Sequence, residues 1–159
     1  MTDTIRSGIY EKGSLSLLNA LDQLKNCSEF HKAGGIGIFI GVVRGDTPSG
    51  EIVEKLELDA YKKLADEVLE RICSDLRKKP DIVDVHIHHF TGDFSIGEDL
   101  VYVIVAGAHR QDVFPVLEEA VNRYKKEAPI FKKEYVSDKK GTMKSYWIGE
   151  EETSRSRKQ

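Results

Sequence analysis

Two nearly unbroken apolar runs, at residues 36–43 and 100–106, leave few options for the architecture of this chain. In Ile36-Gly37-Ile38-Phe39-Ile40-Gly41-Val42-Val43 and again in Leu100-Val101-Tyr102-Val103-Ile104-Val105-Ala106, the apolar/polar alternation of a half-exposed strand is missing. Such runs suit strands buried on both faces, and both are far too short to cross a membrane as helices. The chain therefore needs a sheet whose central strands are covered on each side by other elements.

Residues 61–79 supply one cover. Leu64, Val68, Ile72 and Leu76 recur every fourth residue, flanked by Ala65, Leu69 and Cys73, which predicts an amphipathic helix closed by Pro80. Over residues 112–127 the spacing of Val113, Leu117, Ala120, Val121 and Tyr124 predicts a second helix, with Pro115 in its first turn and Pro129 ending it. A third helix is predicted over residues 15–25, capped by Ser14, with Leu17, Leu18, Leu21 and Leu24 on one side. Shorter strands are expected at residues 5–10, 52–59, 82–90 and 131–136 and around Tyr146, Trp147 and Ile148. In the 52–59 strand the alternation assigns Ile52, Leu56 and Leu58 to one face and Val53, Lys55, Glu57 and Asp59 to the other; in 82–90 it turns Val83, Val85 and Ile87 inward. Residues 45–50 read as an exposed loop and residues 91–99 as a connection. No repeat or long linker divides the chain, so the expectation is one α+β domain over residues 1–149, a mixed sheet with packed helices, followed by a polar tail over 150–159.

Composition narrows the function. A chain of 159 residues, 40% hydrophobic and 32% charged, is globular, and a formal charge of −3 argues against binding nucleic acid through its phosphates. Charge is uneven, however: residues 123–144 carry eight Lys or Arg against three acids, a local net of +5 that suggests an anion-facing surface. The first ten residues lack the apolar core of a secretory signal, and no membrane span is visible, so a cytoplasmic setting is expected. Of the two cysteines, Cys73 lies on the apolar stripe of a helix, where packing is its expected role.

Residues 125–134, Lys125-Lys126-Glu127-Ala128-Pro129-Ile130-Phe131-Lys132-Lys133-Glu134, place lysines on both sides of a forced helix-to-strand break. Such a break can fold two ammonium groups toward one pocket, although strand geometry puts Lys132 and Glu134 on one face and Phe131, Lys133 and Tyr135 on the other. Exposed lysines are common, so a solvated charged surface accounts for the spacing as well. His109 and Arg110 follow the second apolar run and precede a helix, a place where phosphates bind and where simple capping pairs also occur. Arg44 ends the first run at a glycine-rich loop, as an anion clamp or as an exposed strand end. His86, His88 and His89 do not converge in a strand, so no metal site is expected. Gly35-Ile36-Gly37 lacks the third glycine of a dinucleotide fingerprint. No nucleophile stands in a recognisable setting, so the reactive atom of an enzyme built this way has to come from elsewhere.

Taken together, residues 37–44, Leu56-Glu57-Leu58-Asp59-Ala60-Tyr61, Ala108-His109-Arg110 with Phe114, and residues 125–134 resemble the molybdopterin synthase large-subunit family, in matching order from about residue 34 to residue 147. The resemblance implies an α/β hammerhead fold. It implies that Lys125 and Lys132 are catalytic, that Lys133 and Glu134 adjoin the substrate, that Val42, Val43 and Arg44 form another wall, and that His109 and Arg110 bind the substrate phosphate from the second copy of a homodimer. The implied reaction transfers sulfur from the C-terminal Gly-Gly thiocarboxylate of a small ubiquitin-like subunit to cyclic pyranopterin monophosphate, in a heterotetramer without a permanent cofactor. Phe131 stands where the family usually has Trp, Phe90 where Arg is common, and Leu58 where an aromatic is frequent. Two other readings compete: a non-catalytic module of the same fold that binds a ubiquitin-like tail or acts as a scaffold, and a phosphate- or nucleotide-binding regulator, which leaves the paired lysines unexplained.

Overall fold

The two apolar runs become neighbouring antiparallel strands. The computed structural model describes residues 4–148, so the tail expected over 150–159 lies outside the described residues. In chain order the elements are β1 (Gly8–Glu11), α1 (Leu17–Lys25), a 3₁₀ turn (Phe30–Lys32), β2 (Gly35–Val42), β3 (Ile52–Ala60), α2 (Lys62–Arg77), β4 (Ile82–Phe94), β5 (Asp99–Gly107), α3 (Arg110–Glu127), β6 (Ile130–Ser137) and β7 (Met143–Ile148). The strands form one open sheet in the order β2-β5-β4-β3-β6-β7, with β1 pairing parallel to β4 and every other pair antiparallel. The α+β expectation holds.

β4 joins the two halves of the sheet. Its first part pairs with β5 as far as His89, it then meets β1, and from Gly92 to Phe94 it pairs with β3. Gly92 sits at the changeover with φ 130°, a backbone conformation that side-chain-bearing residues rarely adopt. The strand therefore continues into residues 91–94, which the sequence had suggested as a connection: the glycine bends the strand without ending it.

α2 and α3 touch each other and lie on one face, α2 against β4 and β1, α3 against β5 and β2. Their buried stripes, including Val68, Leu69, Ile72, Leu76, Val113 and Ala120, close the main core. β5 is buried from Val101 to Gly107, so its second face is covered too, and α1 contacts it there. In α1, Ala20 and Leu24 are buried and Leu17 and Leu21 partly so, whereas Leu18 is 72% exposed. The stripe runs through 17, 20, 21 and 24, and Leu18 lies off it by one residue's rotation.

Three further expectations are corrected. β2 is an edge strand paired with β5, and its Ile38, Ile40 and Val42 face outward; an unbroken apolar run marks a strand that hides its face without saying what hides it. In β3, Ile52 is exposed and Val53 joins Leu56 and Leu58 in the core, because a register shift between Val53 and Lys55 breaks the alternation. α3 begins at Arg110, so Pro115 falls in its second turn and withholds an N–H from the carbonyl of Gln111.

Candidate functional site

The inward face of β6 carries an ion pair. Lys132 lies opposite Leu58 and Glu134 opposite Leu56 in the β3–β6 ladder. Both leucines are buried, so the two charged side chains share the core-facing side. Lys132 Nζ stands 3.6 Å from Glu134 Oε1, with side-chain exposures of 16% and 13%. Lys133 points the other way, 5.3 Å from the Tyr135 ring centroid and 5.4 Å from that of Trp147. On that outer face Lys55 lies 4.4 Å over the Tyr135 ring, whose hydroxyl donates to Glu57 at 2.8 Å. The expected trio of Lys132, Lys133 and Glu134 is thus split by the strand's alternation, and the aromatic setting of Lys133 is a feature that side-chain spacing did not announce.

Lys125 is half-buried in the last turn of α3, and among the described residues no carboxylate pairs with it. Its neighbours are engaged: Arg123 binds Glu127 at 2.6 Å and Asp75 at 3.0 Å, fastening α3 to α2. The break that follows is pinned, since the Ala128 N–H donates to the Tyr124 carbonyl and the Tyr61 N–H to the Pro129 carbonyl. Lys125 and Lys132 therefore leave a fixed corner from its two sides.

Strand register decides which of the other residues lie near them. Val42 pairs with Asp99 and Gly35 with Gly107, so the two ends of β2 are seven residues apart, roughly 23 Å. Tyr124 stacks edge-on against His89, which pairs with Val101, so the C-terminal end of α3 lies over the Val42 end of β2. β4 runs on from His89 to Gly92, which pairs with Leu58, the residue opposite Lys132. Val42, Arg44, Lys125, Lys132 and Glu134 thus belong to one end of the molecule. Val43 is turned into the core, its N–H donating to the Glu98 carbonyl, so its side chain forms no outer wall. Arg44 is exposed and donates from Nε to Asp46 at 3.2 Å.

His109 and Arg110 lie at the opposite end. His109 caps α3 without a side-chain capping bond, and its Nδ1 stands 3.2 Å from Asp112 Oδ2. With Asp81 these make a group whose donor atoms lie within 4.8 Å, on the surface, where acidic groups commonly gather without an ion. One protomer therefore does not bring His109 and Arg110 to Arg44 and Lys125.

The three β4 histidines are packing residues. His88 is fully buried, its ring edge-on to Tyr10 and His86, and among the described residues neither nitrogen has a hydrogen-bond partner. His86 Nε2 approaches Asp84 at 3.2 Å, and His89 faces α3. Two open clefts flank β4, about 450 Å³ beside Glu11, Glu57, Leu58 and Asp93, and about 360 Å³ beside Lys12, Phe90 and Tyr102. Neither is lined by a residue expected from the sequence, though the larger one borders Leu58.

Residues 15–127 match the family model described as MoaE protein. The chain belongs to the MoaE family. Among MoaE relatives, the molybdopterin synthase catalytic subunit 1 of Aedes aegypti is 32% identical over 146 residues, covering 91% of this chain and 88% of that protein. The molybdopterin synthase catalytic subunit of Pyrococcus abyssi is 37% identical over 105 residues, 66% of this chain and 70% of that one. The crystal structure of molybdopterin synthase from Staphylococcus aureus superposes with a TM-score of 0.77 at 28% identity, over 92% of this chain and 99% of that one.

Proposed function

We propose that this MoaE-family chain is the catalytic subunit of a molybdopterin synthase, a sulfurtransferase of the cytoplasm. Its carrier is a small ubiquitin-like subunit ending in a Gly-Gly thiocarboxylate, its substrate cyclic pyranopterin monophosphate, and its assembly a homodimer with one carrier at each end and no permanent cofactor. The observation that carries this reading is the corner at Pro129, where among the described residues no carboxylate pairs with Lys125 and Lys132 is held inward by Glu134.

The chain's own thiols support a borrowed sulfur. Burial pushes the Cys73 thiol up to about 12, and burial also raises Cys27, so neither is a thiolate near neutral pH. The carrier's thiocarboxylate sulfur bonds to a substrate carbon as the bond from that carbon to an oxygen substituent breaks, the oxygen leaving with a proton. Water then attacks the acyl carbon, the acyl–sulfur bond breaks with the electron pair going to the sulfur, and the water oxygen completes the carboxylate left on the carrier. Two deliveries supply the two sulfurs of the dithiolene. Negative charge develops on the acyl oxygen as the tetrahedral intermediate forms, and the ammonium groups of Lys125 and Lys132 are suited to stabilise it. Arg44 and Val42, with His109 and Arg110 of a second subunit, are assigned to the substrate, the basic pair to its phosphate. Lys133 and Glu134 act on either side of β6, Glu134 by positioning Lys132.

In a reconstituted assay with thiocarboxylated carrier, Lys125→Ala is expected to lower turnover by about 100-fold or more, the scale of losing one oxyanion-stabilising group, while the carrier still binds. Unchanged turnover overturns the assignment, and unchanged binding with no wild-type turnover favours a non-catalytic tail-binding module.

A further inference from the structure

The two lysines of the Pro129 corner belong to different halves of the sheet. Lys125 ends α3, which lies over β5 and β2, whereas Lys132 is on β6, which pairs with β3. β4 is the strand that crosses between these halves, and it bends at Gly92 on the way. Within β4, His89 is the last residue paired with both neighbours, Val101 of β5 and Ile9 of β1. Three residues on, a span of at most roughly 10 Å, Gly92 pairs with Leu58, the residue opposite Lys132.

The side chain of His89 reaches the other lysine's helix turn. His89 and Tyr124 are both buried, and their rings meet edge to face with centroids 5.6 Å apart. Such a contact has a preferred geometry that an aliphatic pair lacks. His89 Nδ1 donates to the Phe90 carbonyl at 3.0 Å, which holds the imidazole in one orientation. The remaining side-chain anchors of that turn act sideways, Arg123 to Asp75 at 3.0 Å and Glu127 to Arg71 at 3.7 Å. They fasten α3 to α2 and leave its height above β4 to Tyr124.

We infer that His89 is a positioning residue for sulfur transfer, setting through Tyr124 where Lys125 stands relative to Lys132. Lys125 follows Tyr124 directly, and among the described residues no carboxylate holds it, so its place depends on the backbone of that turn. Stabilising one acyl oxygen needs both ammonium groups at once, and a displacement of about 1 Å at such a site costs roughly 100-fold in rate. The inference rests on the sulfur-transfer reading. His89 acts through Tyr124 and not on the reacting atoms.

In the reconstituted assay, His89→Leu and Tyr124→Leu are each expected to lower kcat by about 10- to 100-fold, with KM for the carrier within about twofold of wild type. The double variant is expected to be no slower than the slower single one, because both remove the same contact. Tyr124→Phe keeps the ring and is expected to retain at least about a third of wild-type kcat. His88→Leu, buried in the same strand but turned to the opposite face, is expected to alter stability and leave kcat unchanged. If His89→Leu does not fold, Tyr124→Leu against Tyr124→Phe decides the matter. Full kcat in the leucine variants, a loss confined to KM, or an equal loss in His88→Leu overturns the inference. A folded wild type that transfers no sulfur overturns the reading beneath it, and the inference with it.

Discussion

Lys132 and Glu134 illustrate how a charge can be kept in a nearly closed site. Each side chain is less than one-fifth exposed, and each is the other's partner at 3.6 Å. Removing one leaves a charge that is costly to keep unpaired. Lys132→Gln is expected to lower stability by about 1–2 kcal/mol and to abolish sulfur transfer, while the double variant with Glu134→Gln recovers stability but not turnover; urea denaturation beside the transfer assay checks both. His88 makes a different prediction. Burial, reinforced by His86, lowers its pKa from the usual 6.5 to about 4. Above pH 6.5 it is neutral whether folded or unfolded and contributes nothing. As pH falls from 6.5 to 4 the unfolded chain takes up a proton that the folded chain refuses, so stability declines, by on the order of 3 kcal/mol in all. Unfolding measured between pH 7 and 4.5 is expected to show a smaller loss in His88→Leu than in the wild type. Spacing correctly divided His86 and His88 from His89, but it gave no sign that His88 would lack hydrogen bonds, because that depends on what β1 and α1 place around it.

At the scale of elements, the entry to β2 depends on two adjacent glycines with opposite tolerances. A Cβ at Gly34 would stand 2.1 Å from the Ala108 carbonyl oxygen, a backbone atom that cannot swing aside, whereas a Cβ at Gly35 meets nothing within 4 Å. Gly34→Ala is therefore expected to cost about 2 kcal/mol or more and Gly35→Ala to stay within about 0.5 kcal/mol, read from thermal melts. Equal effects would show that the β2 entry and the turn before His109 are not in contact. The helices over residues 61–79 and 112–127 were legible because their apolar stripes repeat over several turns. The bend of β4 at Gly92 and the slip in β3 after Val53 were not, since each is a single-residue departure set by the neighbouring strand.

For the whole molecule, the decisive fact is that α3 holds Arg110 at one end and Lys125 at the other, and that Arg44 after β2 lies at the Lys125 end. Mixed subunits test the consequence. Arg110→Ala and Lys125→Ala, each inactive alone, are expected to recover roughly a quarter of wild-type activity when equilibrated together, because half of the random dimers hold one intact site of two. No recovery in a demonstrated mixed dimer rules out a shared site. By itself the sequence determined the α+β class, the two main helices and the division of Lys132 and Glu134 from Lys133, because these follow from local periodicity, which each segment carries within itself. The tertiary structure alone decided that β2 is an edge, that Val43 is core, and that Arg44 lies far from His109 in one protomer. Those outcomes depend on strand order and register, which are fixed by contacts between residues distant in the chain and leave no periodic trace in it.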